Sequence, residues 1–471
     1  MIGNKTFITT TLPYVNSKPH MGHAFEFVLG DALSRYLRQE GTVHFNIGLD
    51  EHGTKVWEKA QELDLSVEDY ISQLTGLWLD FCTRFEIEYT TFYKTSDKSH
   101  HDKVQHVWKG FVERGFIYKK AYTGRYCQGC ESFKLNRDLT ADGCPDHPGL
   151  ELRYVDEDNY FFRLSAFKES LSTWLNCNPE FLVPNSKLTE LHNLIEGTED
   201  ISVSRLKSSC PWGVPVPGDD EQTIYVWFDA LLNYIFAAGY LTPDFSWDRV
   251  IQLCGPDNIR FQAIFFQAFL EAEGLRKTDR LLVHGTIMDQ DGRKMSKTLG
   301  NTVDPIEQLE RYGLDAVRYY CLAGLSTYHN CSWNESDLVK MYNSDVCNDW
   351  GNLLSRVLHL VDIKQVHGST PTKDFSSVVD EQVRHIRHCW DEFNIRGALQ
   401  LTNDLVKFGN KYINDNKPWE GGADYEPVLT NMYWMVGILN ELYAPVFPGK
   451  CSRAVRHISD RKKCVLFDKL K

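Results

Sequence analysis

The chain lacks any uninterrupted apolar run approaching the ~18 residues of a membrane-spanning helix, so the sequence predicts no span. Its first residues lack the charged-then-apolar pattern of a secretory signal. It also lacks an excess of basic residues: a formal net charge of -13 argues against general attraction to polyanions and leaves any nucleic-acid partner to a local basic face. The absence of G-x4-G-K-[ST] excludes a P-loop as the means of holding a nucleoside triphosphate. We expect an intracellular protein with no membrane association.

The chain is long, and most of its cysteines are scattered. A length of 471 residues suits roughly two to four domains, each large enough to bury its own core. The cysteine count of 13 is odd, and most cysteines stand alone, which does not fit the disulfide framework of a small secreted protein. We expect these scattered residues to be reduced thiols.

One cysteine group instead has metal-ligand spacing. Cys127, Cys130, Cys144 and His147 form a C-x2-C-x13-C-x2-H pattern made of two paired half-sites. The short separation lets both ligands of a tight turn reach one tetrahedral ion, and four protein ligands leave no open position for chemistry. The pattern predicts a closed, structural Zn2+ site, and the alternative is a set of unliganded side chains.

A pair of histidines lies near the amino end of the chain. The segment Thr6 to Leu12 is rich in β-branched residues and predicts a strand, and apolar residues recur at helical spacing between Phe25 and Leu37. His20 and His23 therefore lie on a strand-to-helix connection, where an α/β sheet binds ligands and a helix start offers N–H groups to anions. The spacing alone leaves two alternatives open: half-exposed loop histidines, or a metal site that has no further ligand evident nearby.

A second charged pattern, DGRKMSKTLGN, runs from Asp291 to Asn301. Its lysines, Lys294 and Lys297, flank a Met-Ser pair on a glycine-containing loop. Two lysines on such a loop suit a clamp on a polyphosphate, although a loop of this kind is usually a solvated surface turn. The pattern by itself leaves both interpretations open.

HMGH and KMSKT together are similar to the two signatures of the class I aminoacyl-tRNA synthetases. Within that family the chain resembles the methionine-specific enzymes through the cysteine pattern and four segments: TLPYVNSKPHMGH, GLDEHGTK (Gly48 to Lys55), YVWFDALLNY (Tyr225 to Tyr234) and KPW (Lys417 to Trp419). The resemblance extends from Thr9 to about Trp419. The editing insert of the isoleucine, leucine and valine enzymes looks too large to fit here, and the cysteine enzyme lacks DEHGT.

The resemblance implies an α/β fold with an appended helical part. A Rossmann-like nucleotide-binding catalytic domain would occupy 1–115 and 223–290, interrupted by a connective insertion with the zinc knuckle at 116–222. The KMSKT loop and a stem-contact region would occupy 291–335. An all-α helical bundle at 336–471 would bind the anticodon, in agreement with the continuous helical spacing of that region.

The reaction implied by the resemblance is activation of L-methionine with ATP to methionyl-adenylate, followed by transfer to tRNA(Met), with Mg2+ and structural Zn2+ as cofactors. The implied catalytic residues are His20, His23, Lys294 and Lys297. The implied ATP-binding residues are Gly22, Gly255, Asp257, Lys294, Lys297 and Thr298. The implied methionine-binding residues are Leu12, Tyr14, Asp50, Trp227, Ala230, Tyr234, Phe261 and Gln262. The implied anticodon-binding residues are Asn352, Arg356 and Trp419.

Structural alternatives stand beside some of these roles. Asp50 could instead cap the following helix, and Trp227, Leu231 and Tyr234 could form a core stripe at helical spacing. Trp419 could pack beneath its proline-led turn. The chain also departs from the family pattern in CGPDNIRFQ, where Pro256 replaces the usual lysine and Gln262 replaces a histidine.

Three other functions compete with the methionine enzyme. One is a catalytically inactive, synthetase-like module that binds tRNA or protein, and a second is a sister class I synthetase such as the cysteine enzyme. The third is an adenylylating enzyme with no tRNA substrate. Intact HMGH and KMSKT motifs argue against the first, and the whole helical region argues against the third. We expect a cytoplasmic monomer.

Overall fold

The computed structural model describes residues 5–127, 132–134, 139–145, 147–293, 295, 301–420 and 425–471. The chain divides into two compact units. Unit 1 comprises residues 1–18, 44–79 and 89–283, and unit 2 comprises residues 19–43, 80–88 and 284–471. No helix in the described part of the chain combines the length and the apolar character that crossing a bilayer requires.

The described strands are β1 (Thr6–Thr9), β2 (Val43–Leu49), β3 (Thr91–Lys94), β4 (Ile117–Cys127), β5 (Ser132–Lys134), β6 (Gly143–Cys144), β7 (His147–Pro148), β8 (Arg153–Phe162), β9 (Leu182–Val183), β10 (Ile201–Ser202), β11 (Ser204–Leu206), β12 (Gln222–Ile224), β13 (Arg249–Cys254), β14 (Arg280–Val283), β15 (Ile287–Met288) and β16 (Cys331–Ser332).

The described helices are α1 (Met21–Leu37), α2 (Thr54–Glu62), α3 (Val67–Arg84), α4 (Lys98–Glu113), α5 (Lys168–Cys177), α6 (Leu188–Glu196), α7 (Val226–Ala237), α8 (Phe266–Ala272), α9 (Pro305–Tyr312), α10 (Leu314–Tyr319), α11 (Glu335–Met341), α12 (Asn352–Ile363), α13 (Lys373–Asp391), α14 (Ile395–Asn416), α15 (Tyr425–Tyr443) and α16 (Pro448–Ser459). Short 3-10 turns lie at Leu164–Phe167, Pro179–Phe181, Asn185–Lys187 and Pro256–Asn258, and π-helical segments at Phe261–Phe265, Tyr320–Gly324 and Tyr342–Gly351.

Unit 1 is built on a six-stranded sheet. Its strand order is β3-β2-β1-β13-β14-β9, and β1 with β13, β13 with β14, β14 with β9 and β2 with β3 all pair in parallel. Every residue of β1 is buried, as expected for the continuous apolar and β-branched runs of a covered parallel sheet. The chain passes from β1 to one side of the sheet and later returns on the other, so the strand order reverses between β1 and β13. Such a switch point is where open α/β sheets bind ligands.

The core of unit 1 is rich in aromatic residues. The buried ring of Phe228 packs edge-on against Trp108 and Phe111, with centroid separations of 5.3 and 5.9 Å, and Phe269 lies 4.9 Å from Phe228. These contacts join α4, α7 and α8 around the sheet. Edge-to-face aromatic packing stabilises a core beyond the area it buries.

An antiparallel sheet of order β10-β8-β4-β5 forms a separate layer of unit 1. The long strands β4 and β8 pair from Ile117 and Phe162 to Tyr126 and Arg153, within the range 116–222 that the sequence assigned to an insertion. The short strand β9 lies in the same range but pairs with β14 in the parallel sheet. The two-residue strands β6 and β7 pair Cys144 with His147.

Unit 2 contains α1 and the helices from α9 onward. A buried ion pair ties α1 to the rest of the unit, because Arg318 Nη2 contacts Asp31 Oδ2 at 2.6 Å and neither side chain is exposed. The remaining guanidinium nitrogens donate to the carbonyls of Phe85 and Val446 at 3.0 Å each. Hydrogen bonds from all three guanidinium nitrogens offset the cost of burying its charge.

The predicted α/β class with a parallel sheet and a helical carboxyl-terminal region is confirmed. No strand follows β16 in the described part of the chain, so the region read as helix after helix is indeed helical. β1 is shorter than predicted, because the chain leaves the regular ladder after Thr9. α1 begins at Met21, earlier than its apolar spacing suggested, so His23 lies inside the first helical turn.

Candidate active site

The connections that follow β1 and β2 lie side by side in unit 1. The Asp50 N–H donates to the Pro13 carbonyl and the Val15 N–H donates to the Asp50 carbonyl, both at 2.9 Å. These bonds place Asp50 beside Tyr14, which forms a parallel bridge with it. Leu12 belongs to the buried core of unit 1. The structure thus brings three predicted methionine-binding residues to one edge of the sheet.

The alternative role of Asp50 as a helix cap is wrong. The N-cap of α2 is Gly53, which makes no side-chain capping bond and has a φ of 104°, a value that favours glycine. Asp50 is buried, and one of its carboxylate oxygens accepts from the His52 N–H at 3.4 Å. Carboxylates form strong charge-assisted hydrogen bonds with cationic groups.

Two aromatic rings from different helices stack in unit 1. The rings of Trp227 and Phe261 lie 3.7 Å apart with an interplanar angle of 6°, and both side chains are only partly buried. Their neighbours Ala230 and Tyr234 on α7 are buried at 7% and 2% exposure. The core-stripe interpretation therefore fits Tyr234, whereas Trp227 is only partly buried and packs against the edge of the core.

Gln262 lies against Tyr234. Its amide nitrogen donates to the Tyr234 hydroxyl at 2.5 Å, and the side chain is 1% exposed on the π-helical segment Phe261–Phe265. Single π-helical turns are frequent at functional sites. The residue that departs from the family pattern is thus in contact with a predicted pocket residue.

Gly255 and Asp257 follow β13, on the other side of the switch point from Leu12. Gly255 caps the short turn Pro256–Asn258, and Asp257 lies within that turn with an exposed side chain. The Thr11 hydroxyl donates to the Leu253 carbonyl at 3.4 Å, which ties the end of β13 to the connection after β1. Five predicted binding residues of unit 1 therefore follow the carboxyl ends of β1, β2 and β13: Leu12, Tyr14, Asp50, Gly255 and Asp257. The others lie on α7 and on the π-helical segment Phe261–Phe265.

A buried histidine–carboxylate pair escaped the sequence analysis. His52 Nδ1 lies 2.9 Å from Asp229 Oδ2, and His52 Nε2 lies 3.0 Å from His101 Nε2. Burial lowers the pKa of His52 to about 4 and raises that of Asp229 well above its usual value, so burial favours the neutral form of both groups. His52 lies in the DEHGT motif and Asp229 in WFDAL, but the separation of the two motifs along the chain does not predict that these side chains meet.

The HMGH motif forms a capping box at the start of α1 in unit 2. His20 is the N-cap, and its Nδ1 accepts from the Gly22 N–H at 3.1 Å. His23 Nδ1 reaches back to accept from the His20 N–H at 3.3 Å, and the two rings stack at 3.7 Å. In a neutral imidazole whose Nδ1 accepts, the proton must be on Nε2. Both rings therefore carry an Nε2–H donor beside a helix N-terminus, which is a favourable arrangement for an anion.

Gly22 has a steric reason to be glycine. A Cβ at this position would lie 3.0 Å from Cε1 of the His20 ring and 3.1 Å from its Nδ1. A larger residue would therefore require the imidazole to shift by a few tenths of an ångström. The sequence suggested space for a nucleotide at Gly22, whereas the contact that the structure shows is with His20.

The predicted residues Lys294, Lys297 and Thr298 lie outside the described residues. The segment that contains them is held at both ends by Asp289, which accepts from the Arg293 N–H at 2.8 Å and from Asn301 Nδ2 at 2.8 Å. These hydrogen bonds, with that from Asn301 first, lower the pKa of Asp289 to about 2. The Met21 N–H donates to the Val303 carbonyl at 3.2 Å, so the start of α1 contacts the end of this segment.

Two of the predicted anticodon residues are in contact in unit 2. The Arg356 guanidinium lies 4.5 Å from the centre of the Trp419 ring and donates to Asn414 Oδ1 at 2.7 Å. Trp419 is 40% exposed, so it does not pack beneath its turn as the alternative required. Asn352 is exposed one turn before Arg356 on α12.

The predicted zinc ligands are described only in part. Cys127 at the end of β4 and Cys144 in β6 are fully buried. Cys130 and the side chain of His147 lie outside the described residues. Among the residues that are described, no three His, Cys, Asp or Glu side chains come together as a metal-binding group.

Comparison with known proteins identifies close relatives. The family described as tRNA synthetases class I (M) matches residues 6–149 and 148–358. A methionine–tRNA ligase of Caldanaerobacter subterraneus is 34% identical over 99% of this chain and 76% of its own length, and one of Synechocystis is 35% identical over 94% of this chain and 87% of its own length.

A solved structure gives the same result. The Mycobacterium tuberculosis methionyl-tRNA synthetase in complex with methionyl-adenylate superimposes with a TM-score of 0.90 at 28% identity, covering 99% of this chain and 97% of the other. The likeness includes nearly every residue of both proteins and is not confined to the parallel sheet.

Proposed function

The chain belongs to the class I aminoacyl-tRNA synthetases of the methionine type, and from that premise we propose how its residues activate methionine with ATP and charge tRNA(Met). The methionine carboxylate is already a competent nucleophile toward the α-phosphorus. The enzyme therefore has to align the reactants and stabilise the charge that builds on the phosphate oxygens.

The observation that carries this proposal is the HMGH capping box. Because both Nδ1 atoms of His20 and His23 accept backbone hydrogen bonds, both Nε2 atoms are donors without any need for protonation. Stacked rings on the first turn of a helix have little freedom to rotate. We assign these Nε2–H groups to the phosphate oxygens of ATP, where preorganised donors lower the barrier of phosphoryl chemistry.

The amino acid is assigned to the residues of unit 1. Asp50 would pair with the methionine ammonium group, since it is a buried carboxylate at the end of a strand. Trp227, Phe261 and Tyr234 would surround the side chain, because aromatic rings make favourable contacts with a thioether sulfur. Leu12, Tyr14, Ala230 and Gln262 would complete the pocket.

The phosphates are assigned further partners. Lys294 and Lys297 would hold the leaving pyrophosphate, with Thr298 in the same loop. The hydrogen bonds from Arg293 and Asn301 to Asp289 support this assignment, because they hold the two residues that flank the loop close together. Gly255 and Asp257 would lie against the nucleoside, Asp257 as an acceptor for ribose hydroxyls. Mg2+ would neutralise phosphate charge when bound with ATP, and no protein ligands are assigned to it.

The helical region is assigned to the anticodon. Trp419 is exposed and its ring can stack on an unpaired base, while Arg356 and Asn352 supply donors for base edges. The Arg356 guanidinium over the Trp419 ring already holds both groups in one place. In single-stranded RNA recognition, stacking and edge contacts of this kind supply the specificity.

The knuckle is assigned a structural Zn2+. Cys127 ends β4 and pairs with Ser132 of β5, and Cys144 of β6 pairs with His147 of β7. Two fully buried thiols at such positions fit a tetrahedral site in which the metal stabilises the local fold. A cytoplasmic, monomeric enzyme completes the proposal.

The test is charging of transcribed tRNA(Met) with radiolabelled methionine by the native chain and by Trp419→Ala. We expect methionylation by the native chain, and a raised KM for tRNA with little change in methionine-dependent ATP–pyrophosphate exchange for the variant. Exchange without charging would leave an adenylylating enzyme with no tRNA substrate. Neither activity, from a folded chain that binds tRNA, would leave the inactive binding module.

A further inference from the structure

Three titratable side chains from different elements meet in the core of unit 1. His52 lies on the connection after β2, Asp229 on α7 and His101 near the start of α4. The His52 ring lies between Asp229 Oδ2 at 2.9 Å and His101 Nε2 at 3.0 Å, so two helices hold it from opposite sides. His52 and Asp229 are at most 1% exposed. The proposed function gives neither residue a role.

The burial of Asp229 has a cost that packing alone does not explain. Its Oδ1 is buried and has no hydrogen-bond partner among the residues that the structure describes. A buried polar atom without a partner lowers the free energy of unfolding, and a leucine of similar size would avoid that loss. What the carboxyl group adds at this position is its bond to His52. Such an exception in a core calls for an explanation in terms of function.

The connection that carries His52 is also held on both sides of this residue. The Trp212 indole N–H donates to the Glu51 carbonyl at 2.7 Å, and the Trp212 carbonyl accepts from the Gly53 N–H at 3.1 Å. The backbone around His52 is therefore fixed, and the bond to Asp229 attaches this fixed connection to α7. A displacement of α7 would be transmitted to the connection, and the reverse.

Both partners of this bond are next to predicted methionine-binding residues. The His52 N–H donates to Asp50 Oδ1 at 3.4 Å, and Asp229 directly precedes Ala230 on the helix that also carries Trp227. The bond thus joins the connection that carries the carboxylate assigned to the methionine ammonium group to the helix that carries groups assigned to the methionine side chain.

We propose that His52 and Asp229 are positioning residues that set the separation between Asp50 and the α7 wall of the pocket, and so select an amino acid of the length of methionine. The inference rests on the proposed methionine site. One methylene more or less in a hydrophobic pocket changes kcat/KM by about 10- to 200-fold. That discrimination requires a pocket that cannot move relative to the group that holds the ammonium end.

The test measures amino-acid-dependent ATP–pyrophosphate exchange with methionine and with S-methylcysteine, whose sulfur lies one methylene closer to the ammonium group. Asp229→Leu removes the partner of His52, whereas Asp229→Asn keeps a carbonyl oxygen for it. We expect Asp229→Leu to raise the KM for methionine about ten-fold, with little change in the KM for ATP. Its kcat/KM preference for methionine over S-methylcysteine should fall about five-fold, and Asp229→Asn should restore most of this preference.

Asn233, one turn later on α7, provides the matched control. Its buried side chain accepts from Asn46 Nδ2 at 3.2 Å, so it ties the same helix to strand β2 and not to the connection that carries His52. Asn233→Leu should lower the free energy of unfolding, because it leaves the buried Asn46 amide without this acceptor, and should keep the native preference for methionine.

The outcomes separate positioning from packing. An equal loss for both amino acids in Asp229→Leu would overturn the proposal, as would an unchanged preference, an equal fall in Asn233→Leu or an Asp229→Asn variant as impaired as Asp229→Leu. If Asp229→Leu does not fold, the double variant with His52→Phe replaces both partners by apolar groups and should show the same fall in preference. Absence of methionine-dependent exchange in the native chain would reject the proposed function itself, which is a separate result.

Discussion

Replacement of His20 by asparagine separates the structural role of the HMGH motif from its chemical role. His20 Nδ1 accepts from the Gly22 N–H at 3.1 Å as the N-cap of α1, while its Nε2 carries the donor that we assign to phosphate. Asparagine is among the best N-cap residues and presents an oxygen at the position of Nδ1. Its side chain is too short to place a donor where Nε2 lies.

The expected effects follow from these two atoms. His20→Asn should keep the free energy of unfolding close to the native value, because the capping bond persists. His20→Ala should lose about 1 kcal/mol, the usual contribution of an N-cap. Both variants should lower kcat for methionine-dependent ATP–pyrophosphate exchange by about 100- to 1000-fold, the typical cost of one preorganised donor. The KM for methionine should change little.

A matched control comes from another capped helix of unit 2. Asn334 caps α11 by accepting from the N–H groups of Ser336 and Asp337 at 2.9 and 3.2 Å. Asn334→Ala should lose about 1 kcal/mol of stability and keep its exchange rate. A His20→Asn enzyme whose rate stays within about ten-fold of the native rate would refute the reasoning, because the imidazole would then act only as a cap.

Three further predictions concern stability and metal. Arg318→Met should lower the free energy of unfolding by about 3–5 kcal/mol in urea titrations, because it leaves the buried carboxylate of Asp31 without its main partner. Arg311→Met, which removes an exposed ion pair, should lower it by under about 1 kcal/mol. Equal losses of stability in the two variants would contradict the argument. Burial holds the pKa of His100 well below its usual value, so only the unfolded chain takes up this proton. The free energy of unfolding should therefore decrease as the pH falls below about 6.5. In His100→Leu the dependence of this free energy on pH should be shallower by up to about 1.4 kcal/mol per pH unit. An unchanged slope would show that His100 does not contribute. Metal analysis of the purified chain should give about one zinc, reduced by Cys144→Ser, and a metal-free, fully active sample would reject the site.

The sequence predicted those parts of the fold and site that depend on local pattern. The β-branched run at Thr6 predicts β1, and the apolar spacing to Leu37 predicts α1, because burial on a covered sheet and on one helix face leaves a periodic trace. The spacing of Asn352 and Arg356 likewise predicts their position on one helical face. The order of the two signature motifs was enough to indicate the family.

Contacts between distant segments left no such trace. His52 and Asp229 are far apart along the chain and meet only after the sheet has formed. The same holds for the hydrogen bonds of Gln252 with Thr278 and Gln262. In both HMGH histidines the proton is on Nε2 because Nδ1 accepts a backbone hydrogen bond at the start of α1. Apolar spacing does not define where that helix begins. Polar networks in a core are specified by geometry, and single-sequence periodicity carries no information about it.

The most direct test of the account is amino-acid-dependent ATP–pyrophosphate exchange by the native chain across all twenty amino acids. Activation of methionine with aligned donors predicts exchange with methionine at a kcat/KM well above that for every other amino acid. Exchange that is strongest with cysteine or another amino acid, or no exchange from folded protein saturated with ATP and Mg2+, would contradict it.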